Sequence, residues 1–121
     1  MGTLENKVCV ITGGAGSIGR VTAALFLRER AKLVLSDLSA QALEQARAQL
    51  PEGEVLLVPA DVSKTDDVAR LAEQTISRFG QVDVVFSNAG NFGTVMPIET
   101  YPEEVFDSVI AVHVRGAFNV A

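Results

Sequence analysis

The sequence predicts an α/β fold built on a doubly wound parallel sheet. Short apolar runs at residues 8–11, 33–35, 55–58 and 82–87 alternate with stretches of helical periodicity, and the connections are short. The first run leads directly into a glycine-rich turn. The third and fourth runs are almost continuously apolar, which is typical of parallel strands that are buried on both faces. These three observations favour helices on both sides of one sheet.

The predicted helices carry start and stop signals. Ser39 is a suitable N-cap for the second helix, which we expect to reach residue 50. Ser63 and Asp66 have the spacing of a capping box for the third helix, and Gly80 should end it. The fourth helix follows Pro102, a residue that the first turn of a helix tolerates. Its predicted packing stripe is formed by Phe106, Val109, Ile110, His113 and Ala117.

Right-handed crossovers between these units predict the strand order 3-2-1-4, which is the first half of a Rossmann-type, three-layer α/β/α sheet. In such a sheet the ligand crevice lies at the carboxyl ends of the strands where the order switches. The glycine turns after residues 11 and 87 both fall at this point. The sequence therefore places a ligand site between the first and fourth strands.

Composition bounds the remaining possibilities. The chain has 121 residues, 48% of them hydrophobic and 21% charged, which is typical of one soluble globular domain covering residues 1–121. Its net charge of −5 without a basic cluster argues against nucleic acid and anionic membranes as partners. No apolar run is long enough to span a bilayer, and no signal peptide is evident, so we expect a cytoplasmic protein. The single cysteine, Cys9, should be buried and inert in the first strand.

The glycine turn is the strongest candidate for chemistry. Gly14, Gly16 and Gly19 form G-x-G-x-x-G between a predicted strand and a helix at residues 17–30. Free N–H groups at a helix start favour an anion such as a pyrophosphate. An ordinary tight turn between a strand and a helix is the alternative. Asp37, at the end of the next apolar run, favours the dinucleotide interpretation.

With these pieces in place, the sequence resembles the N-terminal half of a short-chain dehydrogenase/reductase. The matching segments keep that family's order and spacing across nearly the whole chain. They are the segment at 7–14, Ile18-Gly19, Asp37, Asp61-Val62, Asn88-Ala89-Gly90, Pro102-Glu103-Glu104 and the segment at 112–118.

The resemblance implies a nicotinamide cofactor. Thr12 would tie the glycine turn to the fourth strand, and Asp37 would accept both hydroxyls of the adenosine ribose. Because Asp37 repels a 2′-phosphate and Leu38 rather than a basic residue follows it, we expect NAD rather than NADP. The remaining cofactor-binding residues would be Gly13, Gly16, Ser17, Ile18 and Gly19 at the pyrophosphate, Asp61 and Val62 at the adenine, and Asn88, Ala89 and Gly90 beside the nicotinamide. No metal site is expected.

Two positions depart from the family pattern. Ser17 stands where the family's loop has its middle glycine, and Gly16 comes one place early. His113 occupies the position of the family's helix-four asparagine, whose main-chain carbonyl orders a water in a proton relay. His113 is thus our one candidate catalytic residue. Its alternatives are a role through the carbonyl alone, or simple packing.

The family's catalytic serine, tyrosine and lysine lie beyond the part of the family that this chain resembles. Tyr101 is followed by Val105 rather than lysine at the fourth position, so it does not form the family's Tyr-x-x-x-Lys motif. The sequence ends within an apolar helical pattern, so we expect a chain truncated after the fourth helix, inactive and poorly soluble by itself. The segment at 91–101 is either a substrate contact or a plain connector.

The leading hypothesis is the cofactor-binding part of an NAD-dependent alcohol dehydrogenase or ketoreductase. By the same resemblance, the complete protein would act on a small alcohol or ketone and form dimers or tetramers through the fourth helix and the next one. A non-catalytic dinucleotide-binding module is the first alternative. A methyltransferase is the second, against which Asn88-Ala89-Gly90 argues.

Overall fold

The computed structural model describes residues 2–91, 93 and 96–121. Its strands are β1 (Val8–Thr12), β2 (Lys32–Asp37), β3 (Val55–Pro59) and β4 (Val84–Phe86). The helices between them are α1 (Ser17–Arg28), α2 (Ala40–Ala48) and α3 (Thr65–Phe79). After a 3₁₀ turn (Ile98–Thr100), the last helical run consists of α4 (Glu103–Ile110), a π turn (Ala111–Arg115) and α5 (Gly116–Val120).

The four strands form one parallel sheet in the order β3-β2-β1-β4, which confirms the predicted topology. In the middle of the sheet, Val10 on β1 pairs with Val34 on β2 and with Val85 on β4. The strand order reverses between β1 and β4 because β2 and β3 lie on one side of β1 and β4 lies on the other. The carboxyl ends of β1 and β4 therefore flank the switch point.

Helices cover both faces of the sheet. On one face, α1 and α2 contribute Ala23, Leu27 and Leu43 to a buried cluster with Cys9, Ile11, Leu33 and Leu35. On the other face, α3 packs Leu71 against Val8, Val10, Val34 and Val58. Alternate residues of β1 thus enter opposite clusters, as the period of two in a strand requires.

The expectation that the third and fourth strands are buried on both faces is wrong. The strands buried throughout their centres are β1 and β2, whereas β3 is mostly half-buried and Val85 in β4 is 45% exposed. The reason is position in the sheet: β3 and β4 are the outer strands, and no described helix covers Val85. Continuous apolar sequence does not distinguish a central strand from an outer one.

The helix boundaries differ from prediction at three points, one of which is that α2 ends at Ala48 and not at residue 50. α1 ends at Arg28, two residues early, because the backbone turns left-handed at Arg30 (φ 67°). The capping box at the start of α3 is also wrong: the N-cap is Lys64, whose side chain makes no capping bond. The Ser63 hydroxyl instead donates to Asp61 Oδ1 at 2.6 Å. The predictions for Ser39 and Gly80 are confirmed, since Ser39 accepts from the Ala42 N–H and Gly80 ends α3 with a left-handed φ of 81°.

The predicted packing stripe of the fourth helix is largely wrong. The inward side consists of the half-buried Val105, Val109 and Val112 and the buried Gly116, whereas Phe106, Ile110, His113 and Ala117 are exposed. The helix is apolar on two sides, so periodicity alone could not tell which side faces the protein. The deciding contact is at Gly116, where a Cβ would lie 2.6 Å from Val62 Cγ2. This side faces the turn between β3 and α3.

Cys9 is fully buried in β1, as predicted. Burial, and secondarily the nearby Asp83 carboxylate, raises the pKa of the Cys9 thiol. No helix among the described residues combines the length and the apolarity that crossing a membrane requires.

Candidate functional site

The glycine turn joins β1 to α1 at the switch point of the sheet. Gly13 adopts a left-handed φ of 66°, which residues with a side chain rarely adopt, and this reverses the chain immediately after Thr12. The Gly14 N–H donates to the Ser36 carbonyl at 2.9 Å, which fastens the turn to the end of β2. Gly16 is the N-cap of α1. The N–H groups of the first helical turn are thereby directed away from the helix, as an anion site requires.

Asp37 ends β2 directly beside this turn. Its Oδ2 accepts from the Ala15 N–H at 3.0 Å and its Oδ1 accepts from the Leu38 N–H at 2.8 Å. Both hydrogen bonds fix the orientation of the carboxylate. Each carboxylate oxygen retains further lone pairs, so the group can still accept hydrogen bonds from ligand hydroxyls.

Thr12 connects the glycine turn to the segment after β4. Its Oγ1 accepts from the Asn88 N–H at 3.0 Å and the Ala89 N–H at 3.2 Å, and it lies 3.5 Å from the Phe86 carbonyl, to which it donates. The Asn88 side chain returns a bond to the Gly13 carbonyl at 3.4 Å. Thr12 is fully buried. The tie that the resemblance implied is therefore present, and it is made by one hydroxyl group.

Asp61 shapes the turn between β3 and α3. Its Oδ1 accepts from both the N–H and the hydroxyl of Ser63, at 2.9 and 2.6 Å. Its own N–H donates to Asp67 Oδ2 at 2.8 Å. The next residue, Val62, is held from the other side by the Asn119 amide, which donates to its carbonyl at 2.9 Å. The last helical run thus contributes to this edge of the site.

These turns enclose a cavity of about 500 Å³ at the carboxyl ends of the strands. Its wall includes almost all of the predicted cofactor-binding residues, namely Gly13, Gly16, Ser17, Ile18, Asp37, Leu38, Asp61, Val62, Asn88, Ala89 and Gly90, together with His113. Thr12 and Gly19 lie beneath the wall, where both are buried. A Cβ at Gly19 would overlap the Gly13 carbonyl, so the close approach of helix and turn depends on that glycine.

Sequence reasoning did not assign three further residues of the wall to the site, namely Ser36, Ala60 and Val112, and it included a fourth, Asn91, only in the segment at 91–101 given as either a substrate contact or a connector. Each is the chain neighbour of a predicted site residue, so extending every motif by one position would have found them. Ser36 is notable because it is 1% exposed and its hydroxyl has no hydrogen-bond partner among the described residues.

His113 lies in the π turn at the edge of the cavity. Its Nε2 is 3.0 Å from the Asn91 nitrogen and 2.8 Å from the Asn91 oxygen, so the side chain meets the loop after β4. The side chain thus contacts a segment outside its own helix. The segment at 91–101 is described in part, and residues 92, 94 and 95 lie outside the described residues.

The charge of the site is acidic at one end. Asp37 and Asp61 are in the wall, and no lysine or arginine is among its described residues. A dinucleotide fits this arrangement chemically. The helix start offers N–H groups to phosphates, and Asp37 offers an acceptor to sugar hydroxyls. Among the described residues of the wall, none carries a positive charge beside Asp37.

A family model described as short chain dehydrogenase matches residues 7–121. The chain belongs to this family. The family binds nicotinamide dinucleotides, and its members are oxidoreductases that act on small molecules. Membership also removes the methyltransferase alternative.

The chain is similar to curated members of the short-chain dehydrogenase family. It is 39% identical to levodione reductase of Leifsonia aquatica over 117 residues, which is 93% of this chain and 44% of that protein. It is 40% identical to tropinone reductase-like 1 of Erythroxylum coca over 118 residues, covering 95% and 43%. The chain thus spans a little under half the length of these relatives.

Solved structures of the family superpose closely on the fold. A crystal structure of levodione reductase matches with a TM-score of 0.91 at 38% identity, covering 97% of this chain and 47% of that one. A crystal structure of NAD⁺-bound xylitol dehydrogenase matches with a TM-score of 0.93 at 34% identity, covering 98% and 46%. The predicted Rossmann-type fold is therefore confirmed.

Proposed function

We propose that this chain binds NAD in preference to NADP and forms the cofactor-binding part of an oxidoreductase that interconverts a hydroxyl and a carbonyl group. The observation that carries the proposal is the Asp37 carboxylate. It is held in the cavity wall by two backbone N–H groups and lies next to the helix start that would receive the pyrophosphate.

The proposed roles follow from position around the cavity. The N–H groups of Ser17 and Ile18 bind the pyrophosphate, and Asp37 accepts the ribose hydroxyls. Val62, positioned by Asn119, lines the adenine pocket. Asn88, Ala89 and Gly90 border the nicotinamide side of the cavity. When bound, the nicotinamide supplies the chemistry of hydride transfer.

Two further features support this assignment. Similar proteins are named for activities that fit it, including levodione reductase and NAD⁺-bound xylitol dehydrogenase. In addition, an NADH complex has been solved for a 3-ketoacyl-(acyl-carrier-protein) reductase of Brucella melitensis, which is 34% identical to this chain with a TM-score of 0.91. The substrate class we propose is a small alcohol or ketone.

A second candidate function is dinucleotide binding without catalysis. The Tyr-x-x-x-Lys motif that would separate it from the enzyme lies, by the family pattern, beyond the part that this chain matches, so Tyr101 does not bear on the choice. On either candidate, the 121-residue chain binds the dinucleotide but does not turn over a substrate by itself.

Titration calorimetry with NAD and NADP tests the proposal. NAD should bind the parent chain at least tenfold more tightly than NADP. Asp37→Asn keeps the side-chain shape but removes the charge. It should lower the affinity for NAD about tenfold and reduce the difference between the affinities for NAD and NADP. Asp66→Asn makes the same chemical change at an exposed position of α3 and should leave both affinities unchanged. Equal affinities for NAD and NADP in the parent would refute the assignment.

We also propose that the last helical run pairs with a second copy of the chain. Ile110, Val114 and Phe118 share an exposed face with Asp107 and Arg115. Phe118 is 81% exposed. Asp107 and Arg115 lie at equal distances along the chain on either side of Ala111. If two copies of the helix pair antiparallel about a two-fold axis at Ala111, Asp107 of each copy faces Arg115 of the other.

A further inference from the structure

The contact between His113 and Asn91 is formed by a single ring nitrogen. Nε2 lies 3.0 Å from the Asn91 backbone nitrogen and 2.8 Å from the Asn91 carbonyl oxygen. The ring also covers the residue before, since a Cβ at Gly90 would lie 2.5 Å from His113 Cε1. The imidazole therefore holds the loop after β4 at the edge of the cavity.

A ring nitrogen cannot satisfy both Asn91 groups at once. With a lone pair, Nε2 accepts the Asn91 N–H bond and faces the carbonyl without a proton. With a proton, Nε2 donates to the carbonyl and leaves the N–H unpaired. An amide side chain differs, because it carries a donor and an acceptor on separate atoms. The histidine thus offers this loop two alternative hydrogen-bonded arrangements.

Other described groups near this contact have bonds that do not involve His113. Asn88 and Ala89 are bound to Thr12 through their N–H groups, and the Asn91 side chain donates to Ser108 Oγ at 3.3 Å. The backbone of Asn91 is the part whose bonding depends on His113. Because Gly90 and Asn91 both line the cavity, a change in that bonding moves the wall against a ligand.

We propose that His113 is a positioning residue, which holds Gly90 and Asn91 in one of two exchanging arrangements set by which tautomer the imidazole adopts. The inference rests on the proposed dinucleotide function, because it places the effect at the nicotinamide end of the bound cofactor. A bound ligand favours the arrangement that fits it. The free energy needed to shift the loop to that arrangement lowers the measured affinity.

The first test is spectroscopic and needs no ligand. The chain has one histidine, so a two-bond ¹H–¹⁵N spectrum of the ring reports His113 without overlap. In a single neutral tautomer, one ring nitrogen has the ¹⁵N chemical shift of an N–H group and the other has that of a nitrogen with a lone pair. Because both tautomers are populated, we expect both nitrogens of His113 to show ¹⁵N shifts between these two values. A spectrum of one pure tautomer would overturn the proposal.

The second test compares His113→Ala and His113→Asn by calorimetry with NAD and with AMP, which lacks the nicotinamide. His113→Ala should weaken NAD about three- to tenfold and leave AMP unchanged. His113→Asn should bind NAD at least as tightly as the parent, since the amide satisfies both Asn91 groups simultaneously. Glu104→Gln, an exposed change in the first turn of α4, serves as the control.

The remaining outcomes are decisive in the other direction. Unchanged NAD affinity in His113→Ala, or an equal loss of NAD and AMP in that variant, contradicts a local positioning role. A His113→Asn variant whose affinity for NAD is as low as that of His113→Ala also contradicts a local positioning role. If the parent chain binds AMP but not NAD, the proposed function fails together with this inference. Failure in the variants alone overturns only the inference.

Discussion

Asp37 Oδ2 accepts a hydrogen bond from the Ala15 N–H at 3.0 Å, which joins the end of β2 to the glycine turn after β1. The other oxygen of the same carboxylate binds the Leu38 N–H at 2.8 Å. A residue expected to contact only the ribose is therefore also a structural part of the turn. Loss of this side chain affects the shape of the site as well as its charge.

The first prediction concerns the stability of this link. Asp37→Ala should lower the free energy of unfolding by about 1–2 kcal/mol, because two backbone N–H groups lose a charged acceptor and fall back on water. Urea unfolding followed by circular dichroism measures the change. Asp66→Ala, at an exposed position, should cost less. If Asp37→Ala lowers the free energy of unfolding no more than Asp66→Ala does, the hydrogen bonds from the two N–H groups to the carboxylate do not stabilise the fold.

Thr12 should be among the most sensitive positions in the chain. Thr12→Val preserves the shape but removes the acceptor of two N–H groups, and the residue is fully buried. We expect a loss of about 2–4 kcal/mol in the free energy of unfolding. Thr12→Ser keeps the hydroxyl and should lose less than half as much. Similar losses in both variants would show that the methyl group contributes as much as the hydroxyl, and an unchanged stability in Thr12→Val would show that the hydroxyl contributes nothing.

The start of α3 offers a stabilising change. Lys64 is the N-cap, has no capping bond and places a positive side chain near the positive end of the helix dipole. Lys64→Ser should raise the free energy of unfolding by about 0.5–1 kcal/mol. Ser63→Ala is the informative comparison: it should destabilise, since the Ser63 hydroxyl binds Asp61 and does not cap the helix. Stabilisation by Ser63→Ala would contradict that bonding.

Cys9 should be unreactive in the folded chain. Burial, reinforced by Asp83, raises the pKa of its thiol above the ordinary value, so the folded state keeps the proton to higher pH than the unfolded state. The difference in thiol pKa between the two states therefore contributes to the free energy of unfolding. This contribution is fully present below the ordinary thiol pKa and is lost as the pH rises above it. A disulfide reagent at pH 8 should label the single cysteine only after urea unfolding. Cys9→Ala should remove this contribution to the alkaline loss of stability. Rapid labelling of the folded chain would show that β1 is accessible.

The proposed helix pairing can be tested by charge reversal. Asp107→Arg alone and Arg115→Asp alone should each place like charges opposite one another and shift sedimentation towards the monomer. The double variant restores opposite charges in a two-fold pair and should recover the parent's association. Recovery distinguishes this geometry from a general loss of apolar contact. A double variant that remains as dissociated as the single variants rules out the antiparallel pair centred on Ala111.

Much of the architecture was predictable because short sequence patterns determine the type and order of the secondary-structure elements. Alternating apolar runs and helical stretches, combined with the right-handed crossover rule, were sufficient for the order β3-β2-β1-β4. The same rule brought the turns after β1 and β4 together, so the wall of the cavity could be predicted from motifs far apart in sequence. The burial of β3 and β4 was misjudged because continuous apolar sequence was interpreted as burial on both faces, although the predicted strand order already places both strands at the edges of the sheet.

The sequence alone determined the fold, the place of the cavity and most of the residues around it, because strand period, glycine turns and crossover handedness are properties of short segments. Only the tertiary structure decided that Asp37 holds the glycine turn, that Gly116 and not Phe118 faces the protein, and that one nitrogen of His113 serves two groups of Asn91. The physical reason is that hydrogen bonds and close packing depend on distances of a few tenths of an ångström between segments distant along the chain.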